Sequence, residues 1–492
     1  MVKRKRTDAP KEDKTAGTPP KATKSAPTPS ETPDFAAFTI QVVTGSYERV
    51  LHGFTVGIPA SSLKAKTEGD SPAIQCMDTF LFEAHGSAIR CLALSPLPKP
   101  TDPVDAQKVM LASGSTDERI NLYSISAAPP AVNEEYPSVP TFAGNKILEN
   151  PRNRELGSLL HHTASITSLS FPSRTKLLAA GEDNTISVSK TRDWTVVSTI
   201  KAPNPKIQGR PSGDTAPPGA APSGVNHFAV HPSMKLMLSI GRGERCMRLW
   251  NLVTGRKAGV LNFTREVLQG VKESRWSTGE GRRIVWDSEG EEFAVAFEWG
   301  AVVFGIDSIP RCRLIPSPRS KLHQMKYVSL PLKGGEKEDF LAVSTEDGRV
   351  IFYSTRELNN AEDDTECSIP HATPIAQVGG KQAGFPGRIK DFEILTLEGQ
   401  AKEFRNDFLV VTANSDGVVR VWKVGGKEVS AAKQERKDTT QFGKLLTTNE
   451  TGNRITCMAA FVMLPAEDPS TLIDSEDDSE DGVESSSDSD DE

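Results

Sequence analysis

Several things are missing from this chain of 492 residues, and each absence closes a class of explanation. Its six cysteines, Cys76, Cys91, Cys246, Cys312, Cys367 and Cys457, include no CxxC pair. Scattered singly through a long chain, they fit buried thiols in a reducing compartment, not a disulfide framework or a zinc site. The eight histidines form no HExxH spacing, so no metal ligand set is expected, and the adjacent His161 and His162 read as structural. No apolar run reaches 18 residues and the N-terminus has no apolar core, so neither a transmembrane helix nor a secretory signal is expected. GxxxxGK[ST], GxSxG and the kinase signatures are all missing. Gly241-Arg242-Gly243 sits in a turn between apolar strands, where a dinucleotide fingerprint would need a strand followed by a helix. No catalytic residue, cofactor site or small-molecule substrate is therefore assigned.

Charge is unevenly placed. The net charge is −7, and residues 474–492 hold eleven Asp or Glu and no Lys or Arg; removing those eleven leaves the rest at +4. Residues 1–36 are rich in Lys, Pro, Thr and Ala and have almost nothing apolar to bury, which reads as a disordered basic arm. Within it Lys3, Arg4, Lys5 and Arg6 form a compact cluster that reads as a nuclear import signal. The tail, 466–492, reads as disordered and acidic. Ser475, Ser485, Ser487 and Ser489 each have an acidic residue three positions later, a pattern that suits acidophilic kinases.

Between these ends the chain repeats. Phe408 to Val424 reads as a β-hairpin, with Ser415-Asp416-Gly417 as the turn. Thr412 lies four residues before Asp416 and Trp422 six after it. The same spacing, a turn residue with an aromatic or apolar residue six further on, recurs seven times. The turn positions are Glu48, Asp117, Asp183, Glu244, Gly300, Asp347 and Asp416, and the residues six further on are Phe54, Tyr123, Ser189, Trp250, Ile306, Tyr353 and Trp422. Gly300, Ser189 and Ile306 fit poorly. His85 with Ser113, Asp117 and Tyr123 resembles the hydrogen-bond tetrad of a WD40 blade, with Tyr in place of Trp.

The expected fold is all-β: a single seven-bladed WD40 β-propeller over 37–465 with disordered termini. Pro- and Gly-containing insertions are expected at about 129–155, 201–224 and 425–443. The strand Arg454–Leu464 has no partners after it, and the first blade lacks an innermost strand, so the last strand is expected to close the ring.

At Gly243–Arg256, with Trp250 at its centre, the likeness narrows. This stretch, Val43–Glu48, Glu83-Ala84-His85 and the irregular fifth repeat together resemble the PAK-interacting-protein-like WD40 family. That group includes the fungal maintenance-of-killer protein. The resemblance covers about 38–464 and implies a non-catalytic scaffold of the nucleus and nucleolus, required for assembly of the large (60S) ribosomal subunit. Its implied partners are ribosome assembly factors and ribosomal proteins of the pre-60S particle, with pre-rRNA as a candidate and no membrane. A second implied role is binding and restraint of a p21-activated-type protein kinase. An enzyme built on the central channel is disfavoured, because no set of catalytic groups converges.

Overall fold

A computed structural model describes residues 36–64, 74–99, 107–129, 146–204, 223–273, 277–331, 337–359, 367–397, 406–426 and 440–465, with a few isolated positions between. The basic arm up to residue 35, its import cluster, the tail serines and most of the three insertions lie outside the described residues. No helix among the described residues is long and apolar enough to cross a membrane.

The architecture is all-β. Among the described residues the strands fall into antiparallel runs of four, which we number as sheets in chain order. The second comprises Ile89–Leu94, Lys108–Ser115, Ile120–Ser126 and Arg154–Leu159. The third runs from Ile166 to Lys201, the fourth from Val225 to Asn262, and the fifth from Arg283 to Leu314. The sixth runs from Leu322 to Gly379 and meets the fifth through one parallel bridge, Arg313 to His371. The seventh comprises Ile389–Thr396, Asp407–Asn414, Val418–Gly425 and Lys444–Glu450.

The first sheet is discontinuous in sequence. Ala36–Ser46, Val50–Pro59 and Gln75–Glu83 pair in order, and the innermost place is taken by Ile455–Val462. That strand runs antiparallel to the first, with Ile40 opposite Val462 and Thr44 opposite Met458.

Burial follows position within a sheet. The third strand of the second sheet, Ile120–Ser126, is buried throughout, because both its faces are covered by neighbouring sheets. The outermost strand Arg256–Asn262 has little buried. Apolar side chains fill the gaps between consecutive sheets. Val43, Leu51, Ile89 and Leu111 join the first to the second; Ile120, Leu122, Ile166 and Leu177 join the second to the third. The series returns on itself: Ile40, Val42, Met458, Leu409 and Val411 join the seventh to the first.

A second device joins the sheets near the centre. Most innermost strands carry a β-bulge close to their start, as between Ile166 and Ser168 and between Val225 and His227. A bulge turns its extra residue out of the pleat. Here that residue reaches the next sheet. Thr456 Oγ1 donates to the Ile89 carbonyl at 2.6 Å, and Thr167 Oγ1 to the Val225 carbonyl at 2.5 Å. Asn226 Nδ2 donates to the Gly281 carbonyl at 2.9 Å. Arg90 crosses from the second sheet to Glu182 of the third at 2.8 Å; in the fifth sheet, whose innermost strand has regular register, Arg283 at its start donates from Nε to the His323 carbonyl at 3.4 Å. Asp391 accepts from Gln324 Nε2 and from the Met458 amide, tying the seventh sheet to both neighbours.

Three details differ from expectation. The outer strand of the second sheet begins at Arg154, inside the stretch read as an insertion, because its run Glu155-Leu156-Gly157-Ser158-Leu159 has too little β-branched character to mark a strand. Ala60–Lys64 form a short helix with Leu63 buried, in a fold expected to be all-β. A second short helix, Arg265–Gly270, starts with Thr264 accepting from the Val267 amide.

Candidate functional site

Every turn between the second and third strands of a sheet opens on the same face as the start of the innermost strands, since alternate strands run in opposite directions. The turn acids are held there by a fixed backbone. The residue after the acid takes a left-handed conformation: Glu118 (φ 69°), Asn184 (φ 61°), Gly348 (φ 86°) and Gly417 (φ 90°). Glycine adopts it without steric cost, which explains Asp347-Gly348 and Asp416-Gly417.

In the second sheet His85 Nδ1 lies 3.1 Å from Asp117 Oδ2, and its Nε2 lies 2.7 Å from Ser113 Oγ. An ionised carboxylate only accepts, so Nδ1 carries the proton and Nε2 accepts from the serine hydroxyl. Burial pushes the His85 pKa down, against the pull of Asp117, which keeps the ring neutral in that role. Tyr123 is buried, and burial pushes its phenol up to about 12.

The third sheet builds the same bridge from different residues. His162 Nδ1 lies 3.0 Å from Asp183 Oδ2, and Nε2 lies 2.9 Å from Ser187 Oγ. Burial alone would raise the Asp183 carboxyl, but hydrogen bonds from His162 and Thr185 hold it at about 2. The hydroxyl has moved from the second strand, where Ala179 stands, to the third. A template with the hydroxyl four residues before the acid therefore misses it.

In the fourth sheet Trp250 is buried and its indole N–H donates to Ser239 Oγ at 2.7 Å. The turn acid Glu244 pairs with Arg248. In the seventh, Trp422 donates to Thr412 Oγ1 at 3.4 Å, and Asp416 accepts from the Val418 amide at 3.2 Å. In the sixth, Asp347 pairs with Arg349 at 2.8 Å, and Tyr353 is buried with its phenol pushed upward by burial. The structure thus places each described residue singled out in the sequence at a turn or within a sheet. It brings His85, Ser113 and Asp117 together, and Thr412 with Trp422, but gathers no set from different sheets in one place.

The groups that do converge were not singled out. Around the start of the innermost strands stand Arg90, Arg282, Arg283, Arg388, Lys390 and Arg454. Glu182 is shared by Arg90 and Arg242, at 2.8 and 3.1 Å. Glu298 is shared by Lys321 and Arg282, at 2.8 and 3.4 Å. Arg388 pairs with Glu346 at 2.9 Å, and Arg454 lies over the Tyr47 ring. A polar residue one place into each apolar innermost run, such as Arg90, Thr167, Asn226, Lys390 and Thr456, is the sequence signal that marks this ring. No group of three or more His, Cys, Asp or Glu suited to a metal ion occurs among the described residues.

The chain matches known proteins at two scales. The WD domain, G-beta repeat family matches residues 153–188, the stretch that runs into the His162 sheet. Over most of its length the chain is 27% identical to Protein MAK11 of Saccharomyces cerevisiae, across 79% of this chain and 78% of that protein. It is 22% identical to the p21-activated protein kinase-interacting protein 1-like protein of Xenopus laevis, across 86% and 82%. Shk1 kinase-binding protein 15 of Schizosaccharomyces pombe is 25% identical across 64% and 69%. The comparisons return the group whose likeness the sequence carries: this chain is a WD40-repeat relative of MAK11 and of the p21-activated protein kinase-interacting protein 1-like proteins.

Proposed function

We propose that the chain is a seven-bladed, non-catalytic WD40 propeller that serves as a scaffold in assembly of the large ribosomal subunit, binding pre-60S particles in the nucleolus. The observation that carries this reading is the likeness to MAK11 along about four-fifths of both chains. The blade count is supported by the cyclic order in which sheets and apolar layers follow one another. Residues 1–36, with the import cluster Lys3, Arg4, Lys5 and Arg6, and the acidic tail 466–492 are part of the same proposal as appendages of the propeller. The partners are assembly factors and ribosomal proteins, with pre-rRNA as a candidate. The test is purification of the tagged full-length chain with protein and RNA analysis. Large-subunit proteins and precursor rRNA should co-purify and co-sediment; their absence would sink the reading.

A second reading has its own support. The names of several relatives describe kinase binding. On that reading the same purification recovers a protein kinase without ribosomal proteins.

A further inference from the structure

Of the six converging cations, Arg90, Arg282, Arg283, Arg388 and Arg454 each have a partner named above, and Lys390 does not. Arg283 reaches across from the fifth sheet, close enough to interact electrostatically with Arg90 and Cys91 of the second, Cys457 of the first and Asp391 of the seventh. The innermost strands that carry these residues follow one another around the centre. Arg283 therefore lies within the central channel, near the end where Arg90 and Lys390 stand. Lys390 is the bulge residue of its strand, yet its ammonium makes no ion pair or hydrogen bond among the described residues. It is half-buried and faces Arg388, Arg454 and Arg283, with Glu346 as the acid nearby; burial and these like charges push its pKa down. His323 stands near Lys390, Arg388, Arg283 and Arg282, and burial and their like charge push its pKa down to about 3.

Further out the sign changes. Glu182, Glu298 and Glu346 stand at the rim, each partly exposed and each already engaged with Arg or Lys. An anion laid across the rim would meet these carboxylates first. An anionic group at the tip of a narrow segment passes between them and reaches Lys390 and Arg283, where an opposite charge relieves like-charge repulsion in a partly desolvated site.

We propose that the mouth of the central channel is an anion-binding site for a single carboxylate or phosphoryl group carried by a polypeptide, with Lys390, Arg283, Arg90 and Arg454 as its cations. This site goes beyond the ribosomal reading and does not depend on it. A charge-assisted contact to Lys or Arg is the ordinary way such groups are held. A peptide is favoured over a nucleic-acid backbone because the recessed cations offer one anionic contact behind a rim of acids, whereas a backbone presents phosphates in series.

The experiment is fluorescence anisotropy with the purified full-length chain and three labelled peptides of equal length and otherwise neutral sequence, with one central glutamate, one central phosphoserine, or serine at that place. The glutamate peptide, the phosphoserine peptide or both should bind, more weakly at higher salt, and the serine peptide should not. Binding of one charged peptide alone identifies whether carboxylate or phosphoryl is the preferred form. Lys390→Gln should weaken binding by at least ~10-fold, the scale of one charge-assisted contact, with an unchanged melting curve. Arg454→Gln provides a second variant that leaves the Arg90–Glu182 bond intact. Lys257→Gln, exposed on an outermost strand, should bind as the parent does. Failure of both charged peptides to bind, or equal binding by the parent and the Lys390→Gln and Arg454→Gln variants, overturns the site. Displacement of the peptides by a single-stranded RNA whose own binding falls in the same variants would assign the mouth to nucleic acid and overturn the peptide reading. None of these outcomes depends on whether ribosomal proteins co-purify, so the two readings fail separately.

Discussion

The second and third sheets hold their turns with a histidine, while the fourth and seventh anchor a tryptophan. In the first pair, His85 and His162 each link a turn acid to a hydroxyl, so the chain entering a sheet is fastened to its hairpin. In the second pair, Trp250 and Trp422 each donate an indole N–H to a hydroxyl on the neighbouring strand and fill the gap between sheets. The arrangements use the same backbone and share the hydroxyl. They differ in what they resist: the histidine bridge opposes opening of a loop, and the tryptophan opposes separation of layers. A repeat need not keep both for its sheet to be built.

If that division is right, loss of a tryptophan should cost most. Trp422→Ala and Trp250→Ala are each expected to destabilise the protein by about 3–5 kcal/mol, the range for large aromatic truncations in cores. Chemical denaturation of full-length variants reads this directly. A variant that melts like the parent but loses one partner would make the tryptophan an interface residue.

Next in size is the histidine bridge. Asp117→Ala removes the acceptor of His85 and of the Gly86 amide and should cost about 1.5–3 kcal/mol, as for hydrogen bonds to charged groups. The effect should be local. Hydrogen exchange should quicken around residues 84–90 while the fourth sheet keeps its protection. Uniform quickening would show that the bridge carries global stability after all.

Acid separates the pairs in another way. The Asp183 carboxyl is depressed to about 2 from an ordinary 3.8. Its folded value lies below its unfolded one, so its contribution is fully present above the unfolded value. It is lost as pH falls from about 4 to 2, and amounts to roughly 2 kcal/mol. The stability gap between the parent and Asp183→Asn should therefore be wide at neutral pH and shrink through that window. A gap that stays constant with pH would remove the carboxylate from the account.

The smallest expected difference lies within the tryptophan pair. Ser239→Ala leaves the indole N–H of Trp250 without its 2.7 Å partner and should cost about 1 kcal/mol; Thr412→Val, against a 3.4 Å contact, should cost less. The reverse order would mean that the hydroxyls act through packing alone.

The hairpins announced themselves where one strand supplied both hydroxyl and apolar run, as around Asp117, Asp347 and Asp416. The fourth sheet did so through Trp250. The His162 bridge did not, because its serine had crossed to the next strand and left Ala179 in the expected place. The fifth sheet was faint because its turn closes at Gly300, with the Phe297 amide bonded to the Gly300 carbonyl, and its acid, Glu298, stands two places before the position the spacing marks. The bulge residues near the centre showed in the sequence only as single polar residues one place into apolar runs, and their convergence did not show, for a different reason. A bulge is a matter of register between strands, and Lys390 meets Arg283 only once the sheets stand in a circle.

The strand Ile455–Val462 also sets an order of events. Among the described residues it is the last strand to leave the ribosome that makes this chain, yet its partner, Ala36–Ser46, is the first. Throughout synthesis the edge of that first strand has apolar neighbours and no mate. Such unpaired edges are where growing chains pair wrongly with one another. The closing contacts are also the longest in sequence, the kind that form slowly. A nascent chain of this protein therefore spends almost its whole elongation as an open sheet stack, and cellular factors that cover its N-terminal edge would set the yield of closed molecules.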